Sequence, residues 1–239
     1  MNADINNETS GLAASSVNKG LLYIHNDSGD TSRFFLIGED GTLKAIYTFK
    51  ANPLIKNTVT DCEDIAVSIG PKAGKHYVYR IREPKLKSSA KLLTGQVNAE
   101  PLYLKYPDGA RDAETLMVDP VEKLFYIISK REDSVSVYTA PLLYKQNDTV
   151  ILTKRATLFF EGANSGKWIC GGDISKDGRQ VLVKNYLKAF YWKRKGKEPI
   201  WQLLMTPPLE MPYKAEQQGE AIGFARDGNG YYTISEGVY

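Results

Sequence analysis

One grammar recurs five times along this chain of 239 residues. Each unit opens on a small or acidic residue pair, continues through an apolar stretch and a turn, and ends in a Tyr- or Val-rich run closing on polar residues. The openings are Gly11-Leu12-Ala13, Glu63-Asp64-Ile65-Ala66, Ala113-Glu114-Thr115-Leu116, Gly172-Asp173-Ile174-Ser175 and Gly219-Glu220-Ala221-Ile222. The second runs read LLYIHND (21–27), HYVYRI (76–81), LFYIISKR (124–131), VLVKNY (181–186) and YYTISEG (231–237). With Gly11, Asp64, Glu114, Asp173 and Glu220 taken as equivalent, the intervals are 53, 50, 59 and 47 residues. Four strands of about six residues with their turns need roughly 40–50 residues, the size of one propeller blade.

The runs are rich in Val, Ile, Tyr, Phe and Trp, and Gly and Pro break them too often for helices. Further strands are legible in RFFLIG (33–38), LKAIYTF (43–49), VSVYTA (135–140), TVILTKRATLFF (149–160), KAFYWKRK (188–195) and PIWQLLM (199–205). No segment sustains helical periodicity over 11 or more residues. The expected architecture is all-β, a single β-propeller domain over 1–239 of about five four-stranded blades, one or two of them incomplete. The blades fall at 10–50, 60–95, 100–160, 168–206 and 217–239, the last with help from the N-terminal residues. The second passes from HYVYRI straight to Arg82-Glu83-Pro84 and is a strand short, and the fifth stops at Tyr239 after two strands. Either the N-terminal segment lends the last blade an outer strand, or sequence is lacking after Tyr239.

Composition narrows the function classes. Lys and Arg total 31 against 28 for Asp and Glu, a net charge of +3, too small to imply a nucleic-acid partner. The basic stretch 184–197, with its interleaved Tyr186, Phe190, Tyr191 and Trp192, reads as sheet residues and an exposed hairpin tip around Gly196. Two cysteines, Cys62 and Cys170, exclude a disulfide scaffold. They fall in non-adjacent blades and are expected as isolated thiols, since a bridge needs Cα atoms within about 7 Å. No window reaches the 18 or more apolar residues of a membrane span, and the N-terminus MNADINNETS has no signal peptide pattern. GxSxG, Walker, HExxH and Rossmann patterns are absent.

In a propeller the innermost strands line a central channel, so aligned repeat residues converge there. Asp64, Glu114, Asp173 and Glu220 are therefore expected around one opening. Four like charges in a small space require protonation, a cation or a hydroxyl-rich ligand. A hard cation such as Ca²⁺ takes carboxylate and carbonyl oxygens without His or Cys. The alternative is structural: acids at inner-strand starts accept backbone N–H groups of the neighbouring blade and fasten the ring. Fastening accounts less well for the extra acids Asp61, Glu63, Asp112 and Glu236.

The loop His25-Asn26-Asp27-Ser28-Gly29-Asp30 follows an apolar run and sits at a strand end, where functional loops gather. His25 is a candidate general base oriented by Asp27 or Asp30, against the plain reading of an Asx-type turn. Tyr106-Pro107-Asp108-Gly109 leads through Arg111-Asp112 into Glu114, which makes Arg111 a candidate for gripping an anionic group. Lys130 and Arg131 end the following strand and are placed across from the acids, or in a solvated hairpin.

The ordered series Ser10-Gly11-Leu12-Ala13-Ala14-Ser15, His25 to Asp30, Glu63 to Ala66, Tyr106 to Gly109 with Asp112-Ala113-Glu114, Gly171 to Ser175, Gln218 to Ile222 and Ser235-Glu236-Gly237 resembles a family of bacterial, mostly exported β-propeller proteins. More distantly it is similar to phytase-like and gluconolactonase-like propellers. The resemblance covers about residues 9–237 and implies a propeller, an acid-lined channel face holding Ca²⁺, and a periplasmic or extracellular location. The family's Gly-Asp-rich stretch near 77–79 and its export signal are absent here.

Three functions follow as expectations. The first is a monomeric protein that binds a divalent cation or an unidentified small-molecule or protein ligand. Its metal set is Asp64, Glu114, Asp173 and Glu220, with Asp27, Asp30, Arg111 and Glu236 at the rim. The second is a metal-dependent hydrolase of a phosphate ester or lactone, with His25 or Glu114 as base. The third is a structural or protein-interaction scaffold.

Overall fold

β-branched and aromatic runs form short strands that fold back on one another through Gly- and Asp-containing turns. The computed structural model describes residues 8–27, 29–50, 62–67, 75–87, 91–143 and 149–236. The suggested outer strand from residues 1–7, the acid Asp61, and residues 237–239 lie outside the described residues.

The chain opens with the antiparallel meander β1 (Thr9–Ala14), β2 (Leu21–Asn26), β3 (Arg33–Gly38) and β4 (Leu43–Phe49). Next come β5 (Lys75–Ile81), β6 (Leu93–Val97) and β7 (Ala99–Lys105), of which β6 joins the first sheet parallel to β4. Strands β8 (Thr115–Asp119), β9 (Leu124–Ile128), β10 (Val135–Pro141), β11 (Thr149–Ile151) and β12 (Thr153–Leu158) follow. Helix α1 (Asn164–Lys167) precedes β13 (Ile169–Ile174), β14 (Gln180–Asn185) and β15 (Ala189–Lys193). Helix α2 (Ile200–Leu204), β16 (Leu209–Met211), β17 (Ala221–Phe224) and β18 (Tyr231–Ile234) complete the order.

Among the described residues the sheets are β1-β2-β3-β4-β6, β11-β7-β5, β12-β10-β9-β8, β13-β14-β15-β16 and the hairpin β17-β18. The fold is a β-propeller of about four blades closed by a two-stranded hairpin, slightly fewer than the five blades expected. The fifth unit supplies only two strands, and the second sheet has three.

Two strand assignments are corrected. Residues 149–160 are two strands: β11 pairs parallel with β7 in the second sheet, whereas β12 pairs with β10 in the third. Between them Leu152 is buried and its N–H bonds Lys105 O. Residues 199–205 carry a helix. Pro199 precedes it, which suits the fixed φ of proline to a helix start. The Glu122 carboxylate accepts the orphan Ile200 N–H at 2.9 Å, and Ile200 and Leu204, one turn apart, both enter the core. β16 supplies the outer strand instead.

The buried inner and middle strands face a neighbouring blade on both sides, so their residues alternate between two apolar interfaces instead of between core and water. In β9, Phe125 and Ile127 pack toward the second sheet while Tyr126 and Ile128 pack toward the fourth. In β14, Val181 and Val183 join the same cluster as Tyr126, and Leu182 meets Ile222 and Phe224 of the hairpin. The hairpin's Ala221 in turn packs with Leu12 and Phe35 of the first sheet, and Tyr23 and Tyr47 of that sheet pack with Ile65 and Ile81. These contacts close the ring.

Around the axis the inner segments approach at backbone distance. A Cβ on Gly223 would stand 2.7 Å from Leu12 O, and one on Gly171 would stand 2.4 Å from Glu220 O. Neither neighbour is a flexible side chain that can yield. Gly223→Ala is therefore expected to lower the unfolding free energy by about 1–3 kcal/mol, as overpacking does, measured by denaturant unfolding. A loss below about 0.5 kcal/mol would show that the two strands are not in backbone contact.

Candidate functional site

Of the four carboxylates, Asp173 lies in β13, Glu114 and Glu220 directly precede β8 and β17, and Asp64 lies in the segment 62–67, which carries no strand. In the inner ladders Ile174 pairs with Val181, Phe224 with Tyr231 and Val118 with Phe125, each pair bracketing six residues at the bend. The counterparts of Asp173 are therefore Gly223 and Met117. Glu220 and Glu114 each lie three residues nearer the strand start, so the expected single ring of equivalent acids is replaced by two pairs with different partners.

Asp64 and Asp173 bond to backbone. Asp64 accepts Ile65 N–H at 2.7 Å and, across to the third blade, Leu116 N–H at 2.8 Å. Asp173 accepts Phe224 N–H at 2.9 Å on the closing hairpin. Enclosure raises Asp173 to about 7 and holds Asp64 well above the usual carboxylate range. Ser10 does the same work with a hydroxyl, donating to Glu63 O at 2.8 Å. These side chains link inner segments that share no ladder.

Glu114 and Glu220 converge on Lys130, which ends the run after β9 and is 2% exposed. Its ammonium pairs with Glu114 and lies 3.2 Å from Glu220 Oε1. The Tyr186 hydroxyl donates to the same Glu220 oxygen, and the ammonium sits 5.2 Å from the Tyr186 ring centre. Burial pushes Glu114 up to about 7 against the pull of Lys130. Burial also opposes ionisation of Glu220, yet the Tyr186 hydroxyl and the Lys130 charge bring it below the ordinary glutamate value. Lys130 loses solvation, but its bonds to Glu114 and Tyr186 and the charge of Glu220 keep its pKa above the usual lysine value. An internal ammonium thus stands where the sequence suggested a metal ion.

At the channel mouth beside this network, Asp27, Glu220 and Glu236 offer carboxylate oxygens within 4.8 Å of one another. Burial and the neighbouring Glu220 charge raise Glu236 to about 8, and Gln218 Nε2 donates to it at 2.7 Å. This trio is the one such group of potential metal ligands among the described residues.

The other candidates fall outside this trio. His25 is 3% exposed; its Nδ1 bonds Asn26 O at 3.1 Å, which makes that nitrogen the donor. Its Nε2 is buried without a hydrogen-bond partner, and burial lowers its pKa. Asp30 bonds Arg33 at 2.6 Å and Asn26 at 3.0 Å. Arg111 pairs with Glu132 at 2.7 Å and Asp108 at 3.0 Å, away from Glu114. Arg131 pairs with Asp112. In the basic stretch, Lys184 is fully buried against Gly219 O and the Tyr213 ring, and Arg194 is buried on Asp119 at 2.6 Å. The supposed hairpin tip is therefore partly core. Cys62 and Cys170 are not joined in a disulfide, and burial pushes the Cys170 thiol up to about 11.

No protein-family model matches the chain, and no curated protein matches it by sequence. Among solved structures it is similar to Kuenenia stuttgartiensis hydrazine synthase, at 13% identity and a TM-score of 0.36. That match covers 98% of this chain and 43% of the other, so this chain spans less than half the length of the structure it matches. The propeller assignment rests on the strand order and the inter-blade contacts.

The Glu236 shift sets a pH signature. Its folded value of about 8 lies above the ordinary glutamate value of 4.5, so between these limits the native state holds a proton that the unfolded chain has released. Stability from this group is complete at low pH and is lost as pH rises through the window. Relative to Glu236→Gln, the wild type is expected to lose stability steadily from about pH 5 to 8 in calcium-free buffer. A pH-independent difference in melting temperature would contradict the shared-charge geometry.

Proposed function

We propose that this propeller is a binding protein that takes a hard divalent cation of the calcium type at the acid mouth, on Asp27, Glu220 and Glu236. The observation that supports this reading is the approach of their oxygens to within 4.8 Å. Three carboxylates so close repel, and a cation relieves that repulsion where a proton on Glu236 relieves it otherwise. The ligand set differs from the one the sequence suggested. Asp64 and Asp173 are engaged with backbone N–H groups, and Glu114 is neutralised by Lys130. Catalysis is the weaker reading, since Glu114 is held by an ammonium and His25 Nε2 is enclosed. On the binding reading the protein works in the periplasm or outside the cell, where sites with dissociation constants of roughly 10⁻⁴–10⁻³ M fill.

A scaffold role is the second reading, and the backbone clasps of Asp64 and Asp173 favour it. Calcium titration separates the two. Binding is expected to raise the melting temperature at submillimolar calcium, by mass action on the native state. Affinity is expected to grow as pH rises toward about 8, because the proton on Glu236 competes with the ion. Glu236→Gln and Asp27→Asn are each expected to weaken binding tenfold or more. A wild type unmoved by calcium or by a chelator would leave the scaffold reading alone.

A further inference from the structure

At the end of the axis opposite the acid mouth, the inner strands finish around a cavity of about 50 Å³. Its walls combine the apolar side chains of Ala14, Val67, Val118, Ile174 and Phe224 with the polar Ser15, Ser16, Asp173 and Ser175. One water-sized group needs roughly 10–15 Å³, so the space takes roughly three to five such groups. The rim carries Lys176 and Arg226, both exposed. They occupy equivalent positions in successive turns, for Ser175 N bonds Gln180 O as Ala225 N bonds Gly230 O.

Neither cation has an ion pair or hydrogen bond among the described residues. The acids near the rim are already bonded. Glu83 accepts from Ser15 at 2.6 Å and from Ser16 N at 2.7 Å, Asp177 from Ser175 at 2.6 Å, and Asp227 from Asn229 N at 3.0 Å. Asp173 on the wall is turned to Phe224 N–H. The rim thus presents two unpaired positive charges over a small space with an apolar patch on its wall. A guanidinium and an ammonium recognise a carboxylate, and apolar walls recognise a hydrocarbon body.

We infer that this end of the channel binds a short-chain aliphatic carboxylate, its head group on Lys176 and Arg226 and its tail among the inner-strand ends. The site is independent of the calcium reading, so the test runs in chelator. Sodium propanoate is titrated into the full chain by calorimetry and by amide chemical-shift mapping, with propan-1-ol and propylammonium as matched controls. The expected result is saturable propanoate binding that shifts Ala14, Ile174 and Phe224 and is weakened at least tenfold in Lys176→Gln/Arg226→Gln. Both substitutions are at exposed positions and leave the fold intact, checked by the unchanged unfolding transition. Absence of saturable binding, equal binding of the two controls, or undiminished binding by the double variant would overturn the proposal.

Discussion

Inner strands of neighbouring blades meet at the axis without a hydrogen-bonded ladder between them, and the side chains of Ser10, Asp64 and Asp173 answer that fact. Backbone runs so close to backbone that Gly171 and Gly223 have no room for a methyl group. N–H groups on the facing strands would go unbonded, at a cost of about 1–3 kcal/mol each when buried. Asp64 and Asp173 reach across to accept them. Those acids are drawn into an enclosed space by this task, and enclosure pushes their pKa values up. Lys130 meets the complementary need one level away, where Glu114 and Glu220 face each other.

Much of the fold was legible because a blade is a local unit. Its strands pair with sequence neighbours, its turns carry Asp-Gly, and its interval recurs. What was hidden depends on contacts between blades. Residues 199–205 look like a strand by composition, but the Glu122 carboxylate 78 positions earlier caps them into a helix. Leu152 splits 149–160 by turning into the core against the second sheet.

The level error at the axis has a similar origin. Gly172-Asp173-Ile174 and Gly219-Glu220-Ala221 look interchangeable, yet Lys176-Asp177-Gly178 and Arg226-Asp227-Gly228 align as turns and place Asp173 opposite Gly223. Aligning on the turns instead of on the acids would have separated the two pairs. Asp27, Glu220 and Glu236 come from three different segments, and no spacing rule joins them. Tyr186 sat in a run that reads as basic and aromatic, where its bond to Glu220 leaves no trace.

The two ends of the channel differ in sign. One gathers carboxylates around the internal ammonium of Lys130, and the other ends in two unpaired cations over a cavity of mixed lining. A buried ion pair is weak evidence for stability, because desolvation cancels much of the attraction. Lys130 is better understood as setting charge: it supplies Glu114 and Glu220 with a counter-charge from within the chain.

Lys130 and Glu220 are 90 residues apart, on the third blade and the start of the closing hairpin, and only radial closure brings them together. A double-mutant cycle with Lys130→Met and Glu220→Gln measures that meeting directly. A coupling energy of at least about 1 kcal/mol is expected, within the range of roughly 0.5–3 kcal/mol found for residues in one ionic network. Additivity within about 0.3–0.5 kcal/mol, the behaviour of distant sites, would mean the two side chains do not share the axis.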